Sequence, residues 1–191
     1  MGYTGGTTEN PTYHNLGDHA ESVLIEYDPA RIAYSQLLEL FWASHDPGSR
    51  PWKRQYMSAI FYHDEEQRRL AERTRDRESE RIGRRIYTEI LPAAGFTLAE
   101  AYHQKFALRG DSALAQELRA VYPADNDFAA STATARVNGY VAGYGSLRQL
   151  EAEIDGLGLS EAGSRHLRET VRRYEARRGN AMPSGSSCPA R

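Results

Sequence analysis

Few residues in this chain carry reactive chemistry. It has one cysteine, Cys188, and six histidines. A lone thiol closes no intramolecular disulfide. Only Arg191 stands near Cys188 to lower its pKa, so Cys188 reads as an incidental free thiol in a tail of small polar residues. His14, His63 and His103 are too scattered for a metal site, and His19 reads as a structural hydrogen-bonding residue. Glu21 stands two residues before the apolar run Val23, Leu24 and Ile25. A carboxyl desolvated beside such a run keeps its proton and can donate it. Taken singly, however, a Glu beside a strand is usually solvated and a Tyr is usually half-buried packing. Local context alone gives neither type a role.

The elements that must position these groups follow from periodicity and turn chemistry. Residues 1–18, rich in Gly, Thr, Asn, Pro and Tyr, read as a loop. Ser22 to Tyr27 (SVLIEY) is the first convincing strand, closed by the turn pair Asp28–Pro29. Leu37, Leu38, Leu40, Phe41 and Trp42 are spaced for a buried helix face that ends near His45, before Asp46–Pro47. In the polar loop Gly48 to Arg54, Trp52 and Arg54 are expected to face solvent. Met57 to Tyr62 reads as a second strand, and Asp64 as the N-cap of a long charged helix from Glu65 to Arg81.

A third strand, Ile86 to Leu91, stops at Pro92, and Leu98 to Leu108 reads as a short helix. From Asp111 the composition shifts to Ala, Arg, Glu and Leu. Ser112 to Val121, Ser146 to Ile154 and Ser160 to Arg178 read as helices. The tail, Gly179 to Arg191, is expected to be disordered.

Charge is nearly balanced, with 24 basic and 26 acidic residues and a net charge of −2. A nucleic-acid partner, which calls for a basic excess on one face, is not expected. No apolar run approaches the roughly 20 residues of a membrane span, and no leader is evident, so the cytoplasm is the expected compartment.

Several segments stand together in order and spacing: GYTGGTTENPTY (Gly2 to Tyr13), GDHAESVLIEYDP (Gly17 to Pro29), LLELFWASHDP (Leu37 to Pro47) and QYMSAIFYHDEEQ (Gln55 to Gln67). A weaker echo is AEAYHQKF (Ala99 to Phe106). Through them the chain resembles the peptide methionine sulfoxide reductases of the A type, from Gly2 to about Phe106. With the strand–helix alternation, the resemblance implies an α+β fold, a ferredoxin-like α/β sandwich in which helices cover a mixed sheet. The expected domain spans residues 1–122, followed by a helical extension over 123–178 and the tail over 179–191.

The activity implied is thiol-dependent reduction of methionine (S)-sulfoxide, in proteins or as the free amino acid. A thiolate attacks the sulfoxide sulfur, the oxygen is protonated, and the nucleophile becomes a sulfenic acid that a second thiol resolves. By the same resemblance Glu21 is the proton donor and Tyr13 and Tyr56 bind the sulfoxide oxygen; Trp52, from the variant loop GSRPWKR, is a weaker candidate for substrate binding. No metal or organic cofactor is implied. The expected partners are peptides bearing methionine sulfoxide and thioredoxin or a similar thiol reductant.

The chain departs from the family pattern in three places. The family nucleophile lies in a Gly-Cys-Phe-Trp segment ahead of GYTGG, and here GYTGG begins at residue 2. The catalytic cysteine is therefore expected to be absent, with an upstream start as the simplest account. The loop GSRPWKR replaces a longer Asn-Asp-x-Gly-Thr loop. Val141 stands where many relatives carry a resolving cysteine. Cys188 is an unlikely substitute for either thiol. The alternative reading is a pseudoenzyme that binds methionine sulfoxide without reducing it.

Overall fold

Strand-forming runs in the first hundred residues are short, and they gather into two small sheets. The computed structural model describes residues 1–180. Two compact units divide between Glu100 and Ala101. The class is α+β with a helical C-terminal part, as expected, and the strands pair in both senses.

In the first unit β1 (Gly2–Thr4) is the central strand of an antiparallel sheet, between β2 (Ala20–Ser22) and β5 (Thr97–Leu98). Its register sets Tyr3 opposite Glu21 on one side and Thr97 on the other. The expected loop over residues 1–18 therefore begins with a strand. Three residues are too few to show a period of two. Close approach seats β1 instead, since a Cβ on Gly2 would come within 2.2 Å of the Phe96 ring.

The second sheet pairs β3 (Ala59–Tyr62) in parallel with β4 (Glu89–Pro92), with α2 (Glu65–Ile82) as the crossover between them. Asp64 caps α2 by accepting from the Gln67 N–H at 2.8 Å, and Gly83 ends it in the left-handed region at φ 65°. The preceding helix α1 (Tyr34–Ala43) buries Leu38 and Trp42 against Ile60 and Ala71. Trp42 Nε1 donates to Thr74 Oγ1 at 3.0 Å, so the indole keeps its hydrogen bond on burial.

The expected strand Ser22 to Tyr27 contracts to Ala20–Ser22. Val23, Leu24 and Ile25 are 65%, 49% and 56% exposed. Residues 23–28 pair with no strand among the described residues. Extended backbone without a neighbour leaves its N–H and C=O groups to water, whatever its side-chain propensity.

The second unit is helical. A 3₁₀ turn, Ala101–His103, precedes α3 (Phe106–Gly110), α4 (Ser112–Val121), α5 (Asp125–Ala130), α6 (Thr132–Val141), α7 (Leu147–Glu151) and α8 (Glu161–Asn180). Leu108, Leu114, Phe128, Val137, Leu150 and Leu167 form its buried core. The single helix expected over Leu98 to Leu108 is broken, because Lys105 takes the left-handed conformation at φ 51°. Cys188 and residues 181–191 of the expected tail lie outside the described residues.

Trp42→Ala is expected to cost about 3–5 kcal/mol in denaturant unfolding of the first unit. Leu40, on the same helix but 62% exposed, should cost under about 0.5 kcal/mol as Leu40→Ala. Equal losses would contradict this packing.

Candidate functional site

Residues 5–19 form a loop closed on itself by one carboxylate. Asp18 accepts from the Thr7 N–H at 2.8 and 2.9 Å, from the Thr8 N–H at 3.1 Å, and from both threonine hydroxyls at 3.0 Å. The two backbone N–H groups, then the hydroxyls, hold the Asp18 carboxyl well below the usual carboxylate range, against the opposing effect of burial. Gly17 turns the chain at φ 61°, and a Cβ there would lie 1.9 Å from Thr8 Oγ1. His19 engages the same loop with both ring nitrogens. Nδ1 accepts from the Gly6 N–H at 3.3 Å and Nε2 donates to the Thr8 carbonyl at 2.9 Å, the neutral tautomer this pairing assigns.

Two further ties fix where the loop lies. Glu100 Oε1 accepts from the Tyr13 N–H at 3.0 Å, while its Oε2 accepts from the phenol of buried Tyr3 at 2.6 Å. Arg54 Nε donates to the Asp18 carbonyl at 2.8 Å, and a second Arg54 nitrogen to the Gly5 carbonyl at 3.1 Å. Arg54 opens the 3₁₀ turn Arg54–Tyr56, so its guanidinium joins that turn to the loop.

The turn carries two side chains into the site. Gln55 Nε2 donates to Glu21 Oε1 at 2.5 Å. Tyr56 follows it directly, and its phenol pKa is pushed up. Desolvation is the main cause, followed by the neighbouring Tyr13 and Glu21 acids and a hydrogen bond with Tyr13. Of the residues singled out by sequence, Glu21, Tyr13 and Tyr56 are thus brought together, and Trp52 joins them. Its ring lies 5.3 Å from that of Tyr56 at a 30° tilt, with Lys53 Nζ 4.7 Å from its centroid. Trp52 is 74% exposed, in keeping with its loop. Cys188 lies outside the described residues.

The patch can hold an oxygen acceptor. Two phenols and a carboxyl group stand together there, and the upward shift of Tyr56 favours its protonated, donating form. Beside it lies a groove of about 380 Å³, lined in part by Glu21, Val23, Leu37, Phe41, Met57 and Phe61. Among the described residues no three His, Cys, Asp or Glu side chains converge on a metal position, and no helix is long and apolar enough to cross a membrane. Sequence reasoning gave Gln55 and Glu100 no role. For Gln55 the available signal was its place beside Tyr56.

The peptide methionine sulfoxide reductase family model matches residues 1–134, and a model described as the helical domain of selenoprotein methionine sulfoxide reductase A matches residues 124–171. A peptide methionine sulfoxide reductase of Drosophila melanogaster is 43% identical over 162 residues, covering 84% of this chain and 65% of its own. Peptide methionine sulfoxide reductase A5 of Oryza sativa subsp. japonica is 41% identical over 148 residues, covering 74% and 58%. Peptide methionine sulfoxide reductase MsrA of Methanococcoides burtonii is 45% identical over 118 residues, covering 56% and 76%. A crystal structure of Mxr1 from Saccharomyces cerevisiae in an unusual oxidized form is 26% identical, covers 60% of this chain and 66% of that one, and has a TM-score of 0.46. The chain spans under two thirds of the length of the Drosophila and Oryza relatives.

The Asp18 carboxylate stabilises the loop at every pH above its unfolded-state value of 3.8, and that stability is lost only as pH falls through the lower folded value. The Thr7 and Thr8 amide resonances should therefore hold steady in NMR as pH is taken down through 3.8. A midpoint at the ordinary aspartate value would contradict the bonding described.

Proposed function

This chain belongs to the peptide methionine sulfoxide reductase family, and we propose that its Glu21, Tyr13 and Tyr56 recognise and protonate the oxygen of methionine (S)-sulfoxide. The observation that carries the reading is the gathering of these side chains at the Arg54–Tyr56 turn, where Gln55 bonds Glu21 and Tyr56 neighbours both Tyr13 and Glu21. They come from β2, the Asp18-closed loop and the Arg54–Tyr56 turn. A sulfoxide oxygen is a strong acceptor with no proton of its own, and a site built of O–H donors suits it. A thioether offers no such acceptor, so the product leaves readily.

In the proposed reaction a thiolate attacks the sulfoxide sulfur, the S–O bond breaks, and the substrate departs as a thioether. The oxygen, protonated through Glu21, ends on the attacking sulfur as a sulfenic acid. A second thiol displaces it as water and leaves a disulfide, which a thioredoxin-like reductant returns to thiols. The substrates on this reading are oxidised peptides and proteins, and the outcome is repair of oxidative damage. The attacking thiolate is the family's cysteine, which the resemblance places in a Gly-Cys-Phe-Trp segment.

Tyr56→Phe removes one donor and should weaken binding of an (S)-sulfoxide peptide roughly 3- to 10-fold by calorimetry, leaving the thioether peptide unchanged. Equal losses for both peptides, or none, would sink the proposal. Should residues 1–191 turn over substrate with dithiothreitol, Cys188→Ser abolishes it. Survival of turnover in that variant would exclude Cys188 as the nucleophile.

A further inference from the structure

Glu21 is useful as a proton donor only if one oxygen is free to carry the proton and points where the substrate lies. A carboxyl turns readily about its last bond, since torsions ending on a trigonal carbon have broad, two-fold profiles. Something must therefore choose between its oxygens, and the neighbour that does so is Gln55.

We propose that Gln55 is the positioning residue for Glu21: its side-chain amide, 2.5 Å from Glu21 Oε1, fixes the carboxyl so that Oε2 carries the proton toward a bound sulfoxide oxygen. The inference rests on reading Glu21 as the acid. An amide N–H can only donate, so the oxygen it touches must offer a lone pair. In a neutral carboxylic acid that oxygen is the carbonyl, and the proton is left on its partner. Gln55 is also uncharged. A Lys or Arg in its place would hold the same geometry but favour the ionised carboxylate, which has no proton to give.

The amide is itself firmly held. Gln55 lies in the 3₁₀ turn closed by Tyr56 N–H to Lys53 carbonyl at 3.1 Å and Met57 N–H to Arg54 carbonyl at 3.0 Å. Arg54 anchors the turn to the loop backbone at Asp18 and Gly5. Gln55 and Glu21 are both half-buried, which limits competition from water. Adjacent residues of one short turn thus divide two tasks, with Tyr56 reaching the oxygen site and Gln55 orienting the acid.

A double-mutant cycle tests this, read as the ratio of affinities for (S)-sulfoxide and thioether forms of one peptide, measured by calorimetry on residues 1–191. Gln55→Met keeps the length of the side chain and removes its donors, and should lower the ratio about 3- to 10-fold with thioether affinity unchanged. In a Glu21→Ala background the same change should move the ratio by less than about twofold, because Gln55 acts only through Glu21. Gln55→Glu, of the same shape but with a second carboxylate, should lower the ratio at least as far, and serves if the Met variant fails to fold. A ratio that survives both Gln55 variants while Glu21→Ala lowers it would overturn the role of Gln55 and leave the site reading intact. Equal losses in both backgrounds would also overturn it, since Gln55 would then act independently of Glu21. A wild-type protein that does not distinguish sulfoxide from thioether would overturn both readings.

Discussion

The Asp18 carboxylate is the interaction on which the site's geometry depends. Four donors from Thr7 and Thr8 converge on it, closing a polar loop whose Leu16 packs with Tyr3 and Ala99. Such a loop is ordered only where its backbone groups find partners. Once closed, it presents the Asp18 and Gly5 carbonyls to Arg54, and Arg54 brings the turn bearing Gln55 and Tyr56 alongside. The Tyr13 end is tied separately, through Glu100 and the buried Tyr3 of the central strand. The same strand holds Glu21 in register opposite Tyr3. Side chains distant in sequence thus meet because a charged loop and a three-stranded sheet share their anchors.

Helices with strong local signals were legible in the sequence. Asp64 and the Glu/Arg pairs mark the start and the exposed face of α2. Residues 125–141 were not legible. Gly139 and the β-branched Thr132, Thr134, Val137 and Val141 depress helix propensity across α6. Burial of Val137 and Tyr140, a phenol bond from Tyr140 to Glu153 at 2.6 Å and an Arg136–Glu153 ion pair hold it as a helix. Local sequence carries none of that. Composition shifts at Asp111, whereas packing groups α3 and α4 with the later helices.

The same division runs through the site. Motif resemblance pointed to Glu21, Tyr13 and Tyr56, and the variant loop to Trp52, but the reason they meet lies in long-range bonds. Glu100 reaches back to Tyr3 and Tyr13, and Arg54 to Gly5. A sequence window shows neither end of such a bond. The apolar run Val23 to Ile25 misled for a related reason. Alternation and bulk are necessary for a strand, but a neighbour decides, and these residues pair with no strand among those described.

On the proposed reading, one patch of O–H donors receives a sulfoxide oxygen. A crystal structure of residues 1–191 with a peptide containing methionine (S)-sulfoxide tests it most directly. The prediction is a sulfoxide oxygen within roughly 2.5–3.0 Å of the Tyr13 and Tyr56 phenols and of Glu21 Oε2, with Gln55 still on Oε1. A sulfoxide bound elsewhere, or bound with its oxygen turned to solvent, would contradict it.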